Sequence, residues 1–287
     1  MIVTVTCNPA IDKTVYEDHT DFNIGGKGIN VSKVLKKLNT DSICTGFLGK
    51  ENAQVFYDEL DKSGIGHHFI EIDGKARTNS KYIRNNELIE DNEKGPDVND
   101  ESIDKLKEYL ETLSNDIVVI SGSAPKNIDS SFYKDLVELL KRHDNYVIAD
   151  CANDLFKEVV KAKPDMIKPN KDEICTYFKL DYNKDIIIDK CRNLNIDTIC
   201  ISLGSEGALF LKDDYVYEVE PLEVKYVSPV GCGDALVAGM AYGKYNNLEF
   251  EDCIRMAIAC ASASVEMSGS IPPEYEHIMS FKERVTL

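Results

Sequence analysis

The strongest constraint on the fold is an alternation. Short apolar runs recur along the chain, and longer stretches with helical spacing separate them. Ile2–Thr6, Ser42–Leu48, Ile117–Ser121, Tyr146–Asp150, Met166–Pro169 and Thr198–Leu203 are rich in β-branched and aliphatic residues and read as strands. Asn30–Leu38 sets Val31, Val34, Leu35 and Leu38 at helical spacing, and Asn52–Asp61 reads as another helix. Strands that are apolar on both faces belong to parallel sheets covered by helices. The pattern therefore predicts β-α-β units and an α/β architecture. Ala208–Lys212 and Tyr215–Glu220 read as a hairpin around Asp213-Asp214, and helices follow at Asp234–Tyr245 and about Glu251–Met267.

Two regions break the alternation. Residues 13–24 are short and polar, and residues 71–96 hold β-like pieces at Asn79–Arg84 and Glu87–Asp91 flanked by Gly74 and Gly95-Pro96. They predict a small sheet outside the main layer. No repeat, low-complexity tract or linker divides the 287 residues, so one domain spanning 1–287 with lid segments around 13–24 and 71–96 is expected.

Charge excludes several partners. There are 33 Lys+Arg against 50 Asp+Glu, a net charge of −17. Such a surface repels phosphate backbones and anionic lipid, so neither nucleic acid nor membrane is an expected partner. Residues 87–111 alone hold ten Asp/Glu against three Lys, best read as a solvated face. No run approaches the roughly 20 apolar residues of a membrane span, and MIVTVTCNPA has no signal-peptide pattern. Nine cysteines occur with no Cys-x-x-Cys pair, which predicts packed free thiols in the cytoplasm rather than disulfides or zinc.

Familiar nucleotide motifs are missing. Gly26-Lys27 is followed by Gly28, with Asp21 where a phosphate loop needs its first Gly, and no Gly-x-Gly-x-x-Gly follows the first strand. Other constellations remain. Gly231-Cys232-Gly233-Asp234 enters a helix, where free N–H groups favour an anion and Asp234 could take a proton from an attacking hydroxyl. The plain alternative is a turn with Asp as helix cap. Gly25-Gly26-Lys27-Gly28-Ile29-Asn30 also enters a helix, with Asn30 offering a two-sided amide for sugar hydroxyls, or it is a flexible turn with a solvated Lys27. Lys168-Pro169-Asn170-Lys171-Asp172-Glu173 follows a strand end: Lys168 could bridge phosphates and Asn170 with Glu173 could organise Mg²⁺ through water, or the run is a capped helix start. Ser121-Gly122-Ser123 and Ser202-Leu203-Gly204-Ser205-Glu206-Gly207 are strand exits suited to ligand contact. Asp12, in Asn8-Pro9-Ala10-Ile11-Asp12, could bind paired sugar hydroxyls or close an Asx turn. Arg77, in Arg77-Thr78-Asn79, is the bidentate phosphate ligand that an acidic protein needs, with Lys81 on the same strand face, or both decorate a solvated edge.

Taken in order, NPAID, GGKGIN, ARTN, SGS, KPNKDE, SLGSEGA and VGCGDALVAG resemble the ribokinase-like (PfkB-type) carbohydrate kinase family, from about Ile2 to Met267. Within it the chain is most similar to 1-phosphofructokinases, with tagatose-6-phosphate kinases as close neighbours. The resemblance implies a ribokinase-like three-layer α/β/α fold with a mostly parallel central sheet and a small β lid. It implies transfer of the ATP γ-phosphoryl group, with Mg²⁺, to a phosphorylated ketose: fructose 1-phosphate, giving fructose 1,6-bisphosphate. Asp234 is then the general base, and Gly231, Cys232 and Gly233 form the anion hole. Asp12, Gly25, Gly26, Lys27, Asn30, Asn79, Lys81 and Ser123 hold the sugar, and Arg77 takes its phosphate. Lys168, Asn170, Ser202, Gly204 and Gly207 lie on the nucleotide side, with Asn170 and Glu173 supporting the metal. Alternatives are a kinase for an unphosphorylated sugar and a non-catalytic sugar-phosphate binder with a degenerate lid. Cys232 and Ala235 depart from the usual small residue and Ser, and the 13–24 segment is shorter than in relatives, which implies a reduced lid and puts a lid-mediated homodimer in question.

Overall fold

The computed structural model describes residues 1–15, 19–84 and 87–287, with the side chains at 81, 83, 84 and 87–90 also outside the description. Among the described residues, the strands form two sheets. The large sheet is built on β1 (Ile2–Thr6), β4 (Ser42–Gly49), β5 (Gly66–Ile72), β8 (Ile117–Ser121), β9 (Tyr146–Asp150), β10 (Met166–Ile167) and β11 (Thr198–Ser202), ending in the hairpin β12 (Ala208–Lys212) and β13 (Tyr215–Val219). Its order is β13-β12-β11-β10-β9-β8-β1-β4-β5. Neighbours from β5 to β11 pair in parallel, and the hairpin is antiparallel. The chain leaves β1 toward β4 and β5 and then returns to β8 on the other side. That reversal at β1/β8 is where open α/β sheets bind ligands.

Strand alternation divides the core. Val3, Val5, Val118, Ile120, Val147, Ala149, Ile199 and Ile201 face the layer of α3 (Asp100–Glu111), α4 (Ser131–Arg142), α5 (Asn153–Ala162), α6 (Lys171–Phe178) and α7 (Lys184–Arg192). Ile2, Val119, Ile148 and Cys200 face the layer of α1 (Lys27–Lys37), α8 (Cys232–Tyr245), α9 (Phe250–Val265) and α10 (Tyr275–Lys282). Each buried aliphatic side chain contributes about 1.5–3 kcal/mol, so slipping any central strand by one residue would forfeit several such contributions. On the second layer, a Cβ at Gly239 would lie 2.5 Å from Ala257 Cα, which is why α8 and α9 can press together. A third cluster (Ile24, Ile29, Phe56, Leu60 and Phe69 among others) joins α2 (Ala53–Lys62) to the base of the small sheet.

The small sheet runs β3-β2-β6-β7: β2 (Ala10–Val15), β3 (Thr20–Gly25), β6 (Arg77–Arg84) and β7 (Glu87–Asn92). The polar 13–24 segment, expected to be a reduced piece, supplies the second half of β2 and most of β3, two strands paired from Ala10↔Gly25 to Val15↔Thr20. Glu71 and Ile72, read as part of the lid, sit instead on β5 of the large sheet. The nine cysteines are free thiols, seven of them buried. Among the described residues, no helix is long and apolar enough to cross a membrane.

Candidate active site

Sites in this architecture grow from strand ends. Asn8, Ser121, Asp150, Lys168 and Ser202 stand at or just past the carboxyl ends of β1, β8, β9, β10 and β11. The amino ends of α1 and α8 converge on the same edge. Neither helix has a side-chain cap: Gly26 and Gly231 occupy the cap positions. Uncapped first-turn N–H groups carry partial positive charge and offer donors to an anion. Gly231 needs φ +83°, a left-handed conformation that a side chain disfavours.

Asp234 is not the cap of α8, as the plain turn reading would have it. It lies in the helix's first turn, 7% exposed, and accepts a hydrogen bond from Asn30 Nδ2 at 2.7 Å. Burial pushes its carboxyl up to about 6. Asp150 adds to the rise, while Lys27, the Asn30 hydrogen bond and Lys168 oppose it. The Asn30 carbonyl oxygen is buried without a protein partner, so one amide both orients the carboxylate and presents an acceptor.

Three charges stand beside this carboxylate. Asp150, 1% exposed, receives Lys27 Nζ at 3.0 Å and Lys168 Nζ at 3.3 Å on a single oxygen. Burial alone would raise the Asp150 carboxyl, but the two ammonium groups outweigh it and hold it below the ordinary range. Burial likewise works against the Lys27 charge, and Asp150 and Asp234 reverse that, leaving it more firmly protonated than usual. A Cβ on Gly233 would sit 3.3 Å from Lys168 Nζ, so this cation lies against the turn that carries the anion-hole residues. Asp150 escaped the sequence reading. The signal available was one acidic residue closing the apolar run Tyr146–Asp150.

The lid mouth gathers a second group. Strand pairing sets Asp12 opposite Asn79, and Ala10 opposite both Gly25 and Arg77. Asn79 Nδ2 donates to Asp12 Oδ1 at 3.0 Å. A Cβ on Gly25 would fall 2.1 Å from Asp12 Oδ2, so glycine is what lets that carboxylate lie on the backbone. Arg77 donates from Nε to the Asn8 carbonyl and from Nη2 to Ser123 Oγ, each at 3.3 Å. Burial lowers the Arg77 pKa against the pull of Asp12, without threatening its charge. Asn8 ties the same corner by donating to the Lys94 and Ala124 carbonyls. The Lys81 side chain lies outside the described residues.

The third group lies beyond Lys168. Asn170 caps α6, and a reciprocal pair of 2.8 Å bonds joins it to Glu173: Asn170 Oδ1 accepts from Glu173 N, and Glu173 Oε2 accepts from Asn170 N. This realises the plain capped-helix alternative and still leaves one Glu173 oxygen uncommitted. Among the described residues, no cluster of three or more His, Cys, Asp or Glu could cage a metal. A carboxylate oxygen left open at a helix start suits a hydrated divalent cation held through its waters, the usual mode for Mg²⁺. Ser202 bridges to Asn170, and Lys171 pairs with Glu206 at 2.8 Å, holding the Gly204–Glu206 turn beside the α6 cap. Gly207 at φ +94° lies so close to the Val219 carbonyl that a Cβ would stand 2.1 Å from it. An open concavity of about 130 Å³, lined by Asn153, Phe156, Asn170 and Glu173, adjoins this end.

A profile of the pfkB family carbohydrate kinases matches residues 1–277. The tagatose-6-phosphate kinase of Staphylococcus epidermidis is 32% identical over 279 residues, covering 90% of each chain. The 1-phosphofructokinase of Borreliella burgdorferi is 33% identical, covering 92% of this chain and 91% of its own. Among solved structures, phosphofructokinase-2 from Escherichia coli superposes with a TM-score of 0.91 at 21% identity, covering 99% of this chain and 98% of its own. The ribokinase of Thermotoga maritima superposes with a TM-score of 0.80 at 19% identity, covering 99% of each. These last two likenesses establish the ribokinase-like fold.

Proposed function

The chain belongs to the pfkB family of carbohydrate kinases and transfers a phosphoryl group to a sugar hydroxyl; we propose that the acceptor is a phosphorylated ketose, fructose 1-phosphate, converted to fructose 1,6-bisphosphate. The observation that carries this reading is Arg77. An acidic protein holds the Arg77 guanidinium at the lid mouth, fixed by Asn8 and Ser123 and next to the Asp12–Asn79 pair. A neutral sugar needs no such cation. A phosphate monoester takes two of its N–H groups at once.

In this reading Asp12 and Asn79 engage ketose hydroxyls and Arg77 anchors the existing phosphate. The reacting hydroxyl then faces Asp234. Asp234 accepts its proton as the oxygen bonds to the γ-phosphorus and the bridge to ADP breaks. The N–H groups of Gly231, Cys232 and Gly233, with Lys168, stabilise the charge on the transferring group. ATP lies along Lys168, Asn170, Ser202, Gly204 and Gly207. Bound Mg²⁺ neutralises phosphate charge, and Glu173 with Asn170 is where its water shell would be held. Residues 1–287 act as one kinase domain, with the β2-β3-β6-β7 sheet as its lid.

Tagatose 6-phosphate is the second reading, because a relative of that name is as similar as the 1-phosphofructokinase. A coupled ADP-release assay across fructose 1-phosphate, tagatose 6-phosphate, fructose 6-phosphate and ribose separates the readings. The highest kcat/KM should fall on fructose 1-phosphate. Preference for ribose would remove the phosphate clamp from the argument, and binding without turnover of any sugar would favour a non-catalytic role. Arg77→Ala should raise KM for the sugar phosphate by roughly 10²-fold, the weight of lost charge-assisted hydrogen bonds. KM for ATP should hardly move. An equal rise in both constants would mean that Arg77 does not bind the substrate's phosphate.

A further inference from the structure

The anion-hole turn hangs on a long irregular loop, and the origin of that loop's rigidity lies outside the site. Residues 220–229, between β13 and the turn at Gly231, have no regular secondary structure. Irregular backbone needs other partners for its polar groups. Here they come from the far ends of α9 and α10. Val227 and Ser228 both donate N–H to the Val265 carbonyl at 3.0 Å. Lys225 donates its N–H to Glu266 Oε1 at 2.7 Å. Arg284 donates from Nη2 to the Glu223 carbonyl at 2.6 Å.

Glu266 is the residue on which these contacts turn. It ends α9, is partly buried, and uses both carboxylate oxygens. Oε2 lies 2.9 Å from His277 Nε2. A carboxylate only accepts, so His277 donates from Nε2. The His277 ring in turn leans on buried Phe281, at a centroid separation of 5.4 Å. The Lys225 hydrogen bond, then the His277 contact, hold the Glu266 carboxyl below its ordinary value against the effect of burial, so it stays charged and a strong acceptor. From Lys225 the chain has few residues left before the turn, and these are tied internally. Val230 N donates to Ser228 Oγ at 3.2 Å, and Cys232 Sγ approaches the Ser228 carbonyl at 3.8 Å. Ser270, just past α9, lies 3.4 Å from where a Gly231 Cβ would be.

The geometry points to Glu266 as a positioning residue: braced by His277, it fixes the loop that delivers Gly231-Cys232-Gly233 to the nucleotide's phosphates, and does so without touching substrate. This rests on the nucleotide-side reading of that turn. The lid residues Asp12, Arg77 and Asn79 are on the other sheet, so the effect belongs to the nucleotide alone. Glu266→Ala should raise KM for ATP and weaken binding of a non-hydrolysable ATP analogue, read by calorimetry, by roughly tenfold, the weight of a charge-assisted hydrogen bond, with ADP, which lacks the γ-phosphoryl group, affected less. KM for the sugar phosphate should stay within about twofold, as expected for an interaction confined to the nucleotide side. Glu266→Gln keeps an acceptor for Lys225 and should restore most of the affinity. If Glu266→Ala does not fold, His277→Ala serves: it leaves the Lys225 contact but frees the carboxylate, and should weaken binding of the ATP analogue by a smaller factor with the sugar constant unmoved. Unchanged affinity for the ATP analogue in whichever variant folds, or an equal rise in both KM values, overturns the role of Glu266. Wild-type protein that binds no ADP overturns the nucleotide reading itself, a separate failure.

Discussion

Asp234→Asn is expected to lower kcat by roughly 10²–10⁴, the usual weight of a positioned general base, while ADP and sugar phosphate still bind. The Asn30 amide can donate to an asparagine oxygen as it does to Asp234 Oδ2, so the local geometry has a partner to keep. The wild-type enzyme should lose kcat/KM on acidification through about pH 6, where the buried carboxyl takes up its proton. The residual activity of the variant should lack that limb. Stability moves the other way. Folding lifts this carboxyl from the ordinary 3.8 to about 6, so the folded state holds the proton more tightly than the unfolded chain. Its effect on stability is therefore most favourable below pH 4 and declines as pH rises from about 4 to about 6. Above that, an ionised Asp234 costs on the order of 3 kcal/mol of folding free energy. The asparagine variant removes that cost and should melt a few degrees higher at pH 7.5. Wild-type turnover in the variant would dismiss Asp234 as the base. A lower melting temperature would show that the carboxylate is stabilising where it sits.

How much of this could be read from the chain depends on where the information resides. The central strands were legible because both their faces are buried, which writes continuous apolar runs such as Ile117–Ser121 into the sequence. β5 was not, because it is an edge strand with His68 and Glu71 exposed, and its last residues were read into the lid. The lid strands β2 and β3 lack an apolar pattern, since Lys13, Thr14, Asp21 and Phe22 are half-buried or exposed and pairing alone defines them. Motif residues were legible where glycine marks a tight backbone, as at Gly25 and Gly231. The electrostatics were not: Asp150 acquires its meaning from Lys27, 123 residues away in the chain, and Glu266 acquires its own from Lys225 and His277. Only the fold brings such partners together, and no local pattern encodes them.

Asp150→Asn is the variant in which fold stability and catalysis should fail together. Surface ion pairs here, such as Lys184–Glu218 with side chains 43% and 55% exposed, are screened by solvent and contribute little. Asp150 differs in kind. Its carboxylate is 1% exposed and the Lys168 side chain 5%, so replacing the anion leaves a largely desolvated ammonium without its partner. Breaking a buried pair in this way costs about 3–5 kcal/mol. Lys27, at 36% exposure, can turn toward solvent and recover part of its hydration, which places most of the loss on Lys168. Because the folded state holds the Asp150 carboxyl below the ordinary 3.8, its contribution is present at neutral pH and is lost as pH falls through that lower value. The stability gap between variant and wild type should therefore close on acidification below about pH 4. Catalysis adds an independent reading. Asp150 raises the Asp234 pKa, and its removal also frees two cations beside Asp234. The acid limb of kcat/KM in any folded fraction should shift to lower pH. Chemical denaturation across pH 3–8, with rates measured in parallel, decides the matter. A variant as stable as wild type at pH 7 would remove Asp150 from the structural core of the site. An acid limb that moved upward would mean that the two lysines do not act on Asp234.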